Sequence, residues 1–466
     1  MKRLPLSLLA HWAGGQLHGE DTVVDAIGND SRTMRPGSLY LALRGERFDG
    51  HDFAAAALDN GASALLVSHL LEAEAPQIVV DDTQLALARI AAAMQRERAT
   101  RVVAITGSNG KTSVKTLVLA ILGRVGGVYA NPGNRNNEIG LPLAVIDAPD
   151  DVPFAVYEMG AGKPGDIAYL TDIAPPFASL VNNIAPAHLE RMGSLLGIAR
   201  TKGAIYAALP AGGTAVVNAD DAFAPWFEQE LIRPAASGRT LLRFGLEASA
   251  DVTARDIVAE ADGSRFVLVA PQGEVAVHMH LPGRHNVRNA LAAAALALAC
   301  GVPLADIAAG LGDAQPVAGR QLARRLGNGA VLIDDSYNAN PGSLGAAIDT
   351  LAALPGEGWL VLGDMRELGP EAAALHAEAG RRAKSAGLAR LYALGGLSAA
   401  AVSAFGDGAR LFDSHDALAR ALRADLDLAA AGGKAIHCLV KGSRGSAMDR
   451  IVEALLAQEE TASHVA

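Results

Sequence analysis

The stretch VVAITGSNGKTSVKT, residues 102–116, constrains the fold more than any other part of the chain. An apolar, β-branched run leads through Gly107, Ser108, Asn109 and Gly110 into Lys111, Thr112 and Ser113, where a helical pattern begins. In a strand-turn-helix of this kind the two glycines let the backbone wrap an anion, and the opening helix turns free N–H groups and its positive dipole end toward it. Lys111 then offers a point charge to β- and γ-phosphates, and Thr112 a hydroxyl for Mg²⁺. The longer pattern G-x-x-x-x-G-K-[ST] is not met, because Ile105 stands where its first glycine belongs. The bland alternative is an ordinary strand-helix turn, so the surroundings must decide.

Two more strand-like runs follow, FAVYEMGAG with Glu158 at its end and FASLVNNIAPAHLE with His188 shortly beyond. Near-continuous apolar strands are expected in a parallel sheet covered on both faces. In such a sheet the phosphate loop, Glu158 and His188 all emerge at the carboxyl edge, where open α/β sheets place ligands. Magnesium prefers oxygen, so the carboxylate suits it better than the imidazole. Lys202 follows 14 residues after His188, about four turns if that segment is one helix. Most lysines so placed are solvated; a buried one would lose its charge and become able to take up carbon dioxide as a carbamate. LPGRHNVRNALAA sets Asn286 and Asn289 on one side of a helix start, where they either read an adenine edge or cap the helix. LIDDSYNANPGS ends a strand in two acids, which hold ribose or metal or simply terminate the strand.

A chain of 466 residues is too long for one core, and the pattern divides it into about three α/β units. Residues 1–83 form a small α/β domain with strands in SLYLAL, SALLVS and QIVVDD, and a linking helix follows in DTQLALARIAAAMQRERAT. Residues 84–313 form the central, phosphate-loop domain, a mononucleotide-binding parallel sheet. TAVVNADD, TLLRFG, RFVLVA and EVAVHMHL, between 214 and 281, read as an antiparallel embellishment of it. Residues 314–466 alternate strands and helices as a Rossmann-like domain. The net charge of -10, with no basic block, argues against nucleic acid as a partner. Cys300 and Cys438 sit singly in apolar runs and read as reduced core residues. No apolar run approaches the ~20 residues that cross a bilayer, and the N-terminus lacks a cleavage pattern. A cytoplasmic location is the default, with a monomer expected.

Taken together, DSRTMRPGSLYLALRGERFDGHDF, TGSNGKTSVK, NPGNRNNEIGLP, EMGAG, NNIAPAHLE, LPGRHNVRNALAAAA, DDSYNANPGS, LGDMRELG and VKGSR resemble, in this order and across essentially the whole chain, the Mur ligase family. These are the ATP-dependent amide ligases of peptidoglycan assembly. Their phosphate loop is the shorter G-x-x-G-K-[ST], which accounts for Ile105. The resemblance implies that residues 107–113 bind ATP, with Lys111 on its β/γ-phosphates. It implies Thr112 and Glu158 on Mg²⁺, His188 on a second Mg²⁺, and Lys202 as a carbamylated lysine. It further implies Asn289 and Asn338 near adenine, Asp335 near ribose, and Arg320 near the γ-phosphate from across the domain boundary. Asp30, Ser31 and Arg32 would meet the uridine diphosphate end, with Asn134, Asn136 and Asn137 along the sugar-peptide path. Ala204 departs from the family's acid after the lysine.

Within the family, DDSYNANP and LGDMRELG together with TGSNGKTSVK resemble the member that joins D-alanyl-D-alanine to a UDP-N-acetylmuramoyl-tripeptide, and the DNPR expected of the tripeptide-forming member is missing. The implied chemistry is phosphorylation of the peptide's terminal carboxylate by ATP, followed by attack of the dipeptide amine on the acyl phosphate. A tripeptide-forming ligase, a folylpolyglutamate synthase and a nucleotide-binding protein without ligase activity are the rival readings.

Overall fold

The computed structural model describes residues 1–45, 47–186, 189–233, 238–260 and 263–463, with side chains described to residue 457. Three sheets organise the chain. The first runs in the spatial order Gln16–His18, Gln77–Val79, Ala62–Val67, Ser38–Leu41, Ala26–Gly28, parallel except for the edge strand Gln16–His18. Its three inner strands are those legible as apolar runs.

The central sheet is wholly parallel, in the order Thr240–Phe244, Thr214–Asn218, Ala178–Val181, Arg101–Thr106, Phe154–Glu158, Val128–Ala130. Strand alternation splits its side chains between two cores. Val102 and Ala104 pack with the helices Thr83–Glu97, Gly140–Asp147 and Leu195–Ala207. Val103 and Ile105 pack on the other face with Lys111–Leu122 and Arg284–Ala299. Burial on both faces is why these strands are apolar throughout.

The expected antiparallel embellishment is half right. Thr253–Ala259, Ser264–Ala270 and Gly273–Met279 form a separate three-stranded antiparallel sheet. Thr214–Asn218 and Thr240–Phe244 instead extend the parallel sheet. Every residue of Thr214–Asn218 is buried, and Gly or Asp turns at strand ends do not reveal which direction the next strand takes.

The third sheet runs Leu322–Arg325, Val331–Asp335, Ile436–Lys441, Glu357–Gly363, Arg390–Leu394, Ala409–Phe412, with only the first strand antiparallel. The helix Thr83–Glu97, expected to link two units, is part of the cover of the central sheet and also packs on the first unit's helix Leu6–Ala13. Just beyond it the nearly buried Arg98 guanidinium donates to the carbonyls of Val145 (2.6 Å) and Ala148 (2.8 Å) and pairs with Asp150 at 2.8 Å. Among the described residues no helix is long and apolar enough to cross a membrane.

Candidate active site

Three adjacent strands, Ala178–Val181, Arg101–Thr106 and Phe154–Glu158, deliver their carboxyl ends to one place. There the chain opens a cleft of about 700 Å³ that the third sheet's loops help to line. Gly107 and Gly110 hold φ of 145° and 78°. A Cβ on Gly110 would stand 2.5 Å from Asn182 Nδ2 and 2.6 Å from Asn289 Oδ1, so both the backbone and the space demand glycine there. Gly110 is the N-cap of Lys111–Leu122, and no side chain caps that helix. Its first N–H groups therefore face the cleft, as an anion site requires.

The loop is braced from several sides. Ser108 Oγ donates to the Ala185 carbonyl at 3.0 Å, and the Asn109 N–H donates to Asn183 Oδ1 at 2.9 Å. Asn182 Nδ2 donates both to the Asn109 carbonyl and to Asn289 Oδ1, at 2.9 and 3.1 Å. From the third unit, Asn340 Nδ2 donates to Asn109 Oδ1 at 2.7 Å while its own Oδ1 caps the helix Pro341–Ala352.

Glu158 lies buried at the centre. Thr112 Oγ1 donates to its Oε2 at 2.9 Å and Asn136 Nδ2 to its Oε1 at 2.8 Å. Arg320 reaches across from beyond residue 313 to donate to Thr112 Oγ1 at 3.1 Å, its guanidinium lying 4.1 Å from the centre of the Tyr337 ring. Burial alone would raise the Glu158 pKa. The Lys111 and Lys115 charges and the bonds from Thr112 and Asn136 outweigh it and hold the carboxyl below its usual range. Lys111 donates to the Gly107 carbonyl at 2.9 Å, and its own pKa is lowered chiefly by burial.

Of the other expected site residues, Ser113, Asn137, Asn289, Asp335 and Asn338 line the cleft. Asp335 is paired with Lys441 at 2.6 Å, and burial lifts its carboxyl above the ordinary range despite that cation. Asn286 and Asn289 are not caps, since Gly283 holds the N-cap position. They are buried, and Asn289 donates to Asn286 Oδ1 at 3.3 Å. Asn134 does not line the cleft, because the chain turns between it and Asn136. Asp30, Ser31 and Arg32 also lie away from it, in the first unit, where Asp30 caps a short 3₁₀ turn and pairs with Arg32 at 2.8 Å. His188 falls outside the described residues. Between it and Lys202 the described chain forms two helices, Leu189–Met192 and Leu195–Ala207, and Ser194 caps the second.

Lys202 is 2% exposed, so the solvated reading fails. Burial first, and the Lys111 charge second, pull its pKa from 10.5 to about 7. Between those two values the unfolded chain binds a proton that the folded chain does not, so stability rises with pH there. The cost of burying Lys202 is full below pH 7 and fades toward pH 10. Lys202→Met is therefore expected to be more stable than the parent at pH 6 in carbon-dioxide-free buffer. Its advantage should shrink by about 1.4 kcal/mol per pH unit from 7 to 10. Urea denaturation of both chains across that range checks this, and parallel pH profiles would refute it.

The residues missed by sequence reasoning are mostly polar side chains that brace others: Lys115, Asn131, Asn182, Asn183, Asn340 and Lys441. The half-buried His285 also lines the cleft, and desolvation of its ring draws its pKa down to about 4. Asn182 and Asn183, doubled directly after a strand, carried the clearest overlooked signal.

Three family models match the chain: the Mur ligase family catalytic domain over residues 23–95, the Mur ligase middle domain over 105–297, and the Mur ligase glutamate ligase domain over 319–456. The chain is 44% identical over 456 residues to the UDP-N-acetylmuramoyl-tripeptide–D-alanyl-D-alanine ligase of Escherichia coli (strain K12), covering 98% of this chain and 99% of the other. Among solved structures, MurF from Acinetobacter baumannii superposes with a TM-score of 0.92 at 33% identity, covering 98% and 99%. MurF from Thermotoga maritima in complex with ADP gives 0.83 at 28%, covering 94% and 98%.

Proposed function

This chain belongs to the Mur ligase family, and we propose that it joins D-alanyl-D-alanine to UDP-N-acetylmuramoyl-tripeptide with ATP, releasing ADP and phosphate. The reading rests on the end-to-end likeness to ligases of that name. The observation that carries it to a place is one cleft where the phosphate loop, a buried carboxylate and an arginine from a separate unit meet. The division at 83/84 and 313/314 is part of the proposal, as are a cytoplasmic location and a monomeric state.

A carboxylate is a poor acyl donor, so the terminal carboxylate of the tripeptide must be activated before an amine can displace anything from it. Its oxygen takes the γ-phosphoryl group, ADP leaves, and the dipeptide amine then attacks the acyl carbon and expels phosphate. Lys111 and the uncapped N–H groups after Gly110 hold the phosphates, and Arg320 meets the charge developing on the transferred group. Asn182 and Asn289 brace the loop against the helix Arg284–Ala299, so its geometry is set before substrate arrives. Asp335 and Asn338 offer the third unit's contacts to the nucleoside.

The donor set fits Mg²⁺. Thr112 Oγ1 and the Glu158 carboxylate are oxygen ligands 2.9 Å apart, beside the place where phosphates would lie. When bound, Mg²⁺ supplies charge that draws electrons from the phosphoryl oxygens. Among the described residues no group of three His, Cys, Asp or Glu is arranged to hold a metal, so further protein ligands would come from Lys202 as a carbamate and from His188. The near-neutral Lys202 amine supports the first of these.

The test is amine dependence. Phosphate release from ATP in the presence of UDP-N-acetylmuramoyl-tripeptide is expected with D-alanyl-D-alanine and not with single amino acids. Release driven by a free amino acid would sink the assignment.

A further inference from the structure

The helix Lys111–Leu122 carries a second lysine one turn beyond Lys111, and the chemistry above makes no use of it. Lys115 is buried, and its ammonium donates to the carbonyls of Asn131 at 3.0 Å and Gly133 at 3.2 Å. Glu158 Oε2 stands 3.7 Å away. Residues four apart on a helix share a face, so the lysine that meets phosphate and the lysine that meets this loop are parts of one rigid element.

The loop it holds runs from Asn131 to Asn137 and is tied to Glu158 near both ends, through Asn131 and Asn136. Asn131 accepts from the Glu158 N–H at 2.9 Å and donates to the Glu158 carbonyl at 3.0 Å, continuing the pairing of strand Val128–Ala130 in side-chain form. Asn131 also donates to the Arg135 carbonyl at 2.9 Å. Asn136 donates to the Glu158 carboxylate, and the Gly160 N–H donates back to the Asn136 carbonyl at 2.8 Å. The far end of the loop, Asn136 and Asn137, lines the cleft.

We propose that Lys115 is a positioning residue: it fastens the 131–137 loop to the phosphate-loop helix and to Glu158, and so sets the acyl substrate's carboxylate in line with the phosphoryl group. This rests on the ligase reading given above. Lysine suits the place because its compact ammonium has three donors, two for the carbonyls and one directed at the carboxylate. A neutral side chain satisfies neither carbonyl as strongly and leaves the loop's cleft end free to move.

Calorimetric binding of UDP-N-acetylmuramoyl-tripeptide and of ATP, each alone, separates this from simple structural support. Lys115→Gln is expected to weaken binding of the UDP precursor about tenfold, the loss of one charged hydrogen bond, while ATP affinity stays close to the parent's. Combining it with Asn136→Ala should cost less than the sum of the two, because both act through the same loop. Should the Lys115→Gln chain not fold, Asn131→Ala cuts the loop's other tie, its side-chain pairing with the Glu158 backbone, and is expected to give the same split. Precursor affinity equal to the parent's, or an equal loss for both ligands, overturns the proposal. A parent chain that does not bind the UDP precursor at all overturns the ligase reading instead.

Discussion

Glu158→Ala is expected to destabilise the central unit by about 3–5 kcal/mol and to lower turnover about 10²–10³-fold together. Glu158 is the counter-charge of the buried Lys115, 3.7 Å away, and the half-buried Lys111 lies close enough to shift its pKa. Removing it leaves the buried Lys115 ammonium with carbonyl partners and no counter-charge, and it strips Thr112 and Asn136 of their acceptor. The penalty comes from the abandoned buried charge more than from the lost attraction. Urea unfolding followed by far-UV circular dichroism, with steady-state rates on the same preparation, checks both halves. A variant as stable as the parent would show that Lys115 does not depend on this carboxylate.

Lys111→Ala should behave differently, with a rate loss of about 10³-fold and little loss of stability. Lys111 is itself costly to bury, as the lowering of its pKa shows, and Glu158 keeps Lys115 when Lys111 is gone. Its one described hydrogen-bond partner is the Gly107 carbonyl. Lys111→Arg is expected to be nearly as slow, because a planar fork does not replace a point charge in a tight loop. Rates under saturating ATP, compared with thermal melting, separate the two variants. More than a tenth of parental turnover in Lys111→Ala would remove this lysine from the phosphate site.

The contrast between these residues reflects what a sequence can and cannot display. The phosphate loop is legible because its glycines, lysine and threonine are fixed by spacing along a single turn. Glu158 is legible because it ends an apolar strand, and a parallel sheet sends all such ends to one edge. Arg320 reaches Thr112 from 208 positions further along the chain, and nothing local marks it; only the resemblance to a family pointed there. Lys115 carries no local mark of its role, since its partners are backbone carbonyls of a loop whose course no pattern of side chains records. Thr214–Asn218 and Thr240–Phe244 were misleading for a related reason. Periodicity gives a strand's faces, while its direction and neighbours are decided by packing. Asp30, Ser31 and Arg32 belong to a separate motif of the first unit and lie away from the cleft.

In the proposed reaction the cleft activates a carboxylate by phosphoryl transfer and passes it to a dipeptide amine. UDP-N-acetylmuramoyl-tripeptide labelled with ¹⁸O in its terminal carboxylate tests this directly, with ATP and D-alanyl-D-alanine present. Phosphoryl transfer to that carboxylate predicts ADP as the nucleotide product and one ¹⁸O carried into inorganic phosphate for each pentapeptide formed. Label appearing in AMP, or phosphate released without label, would contradict it.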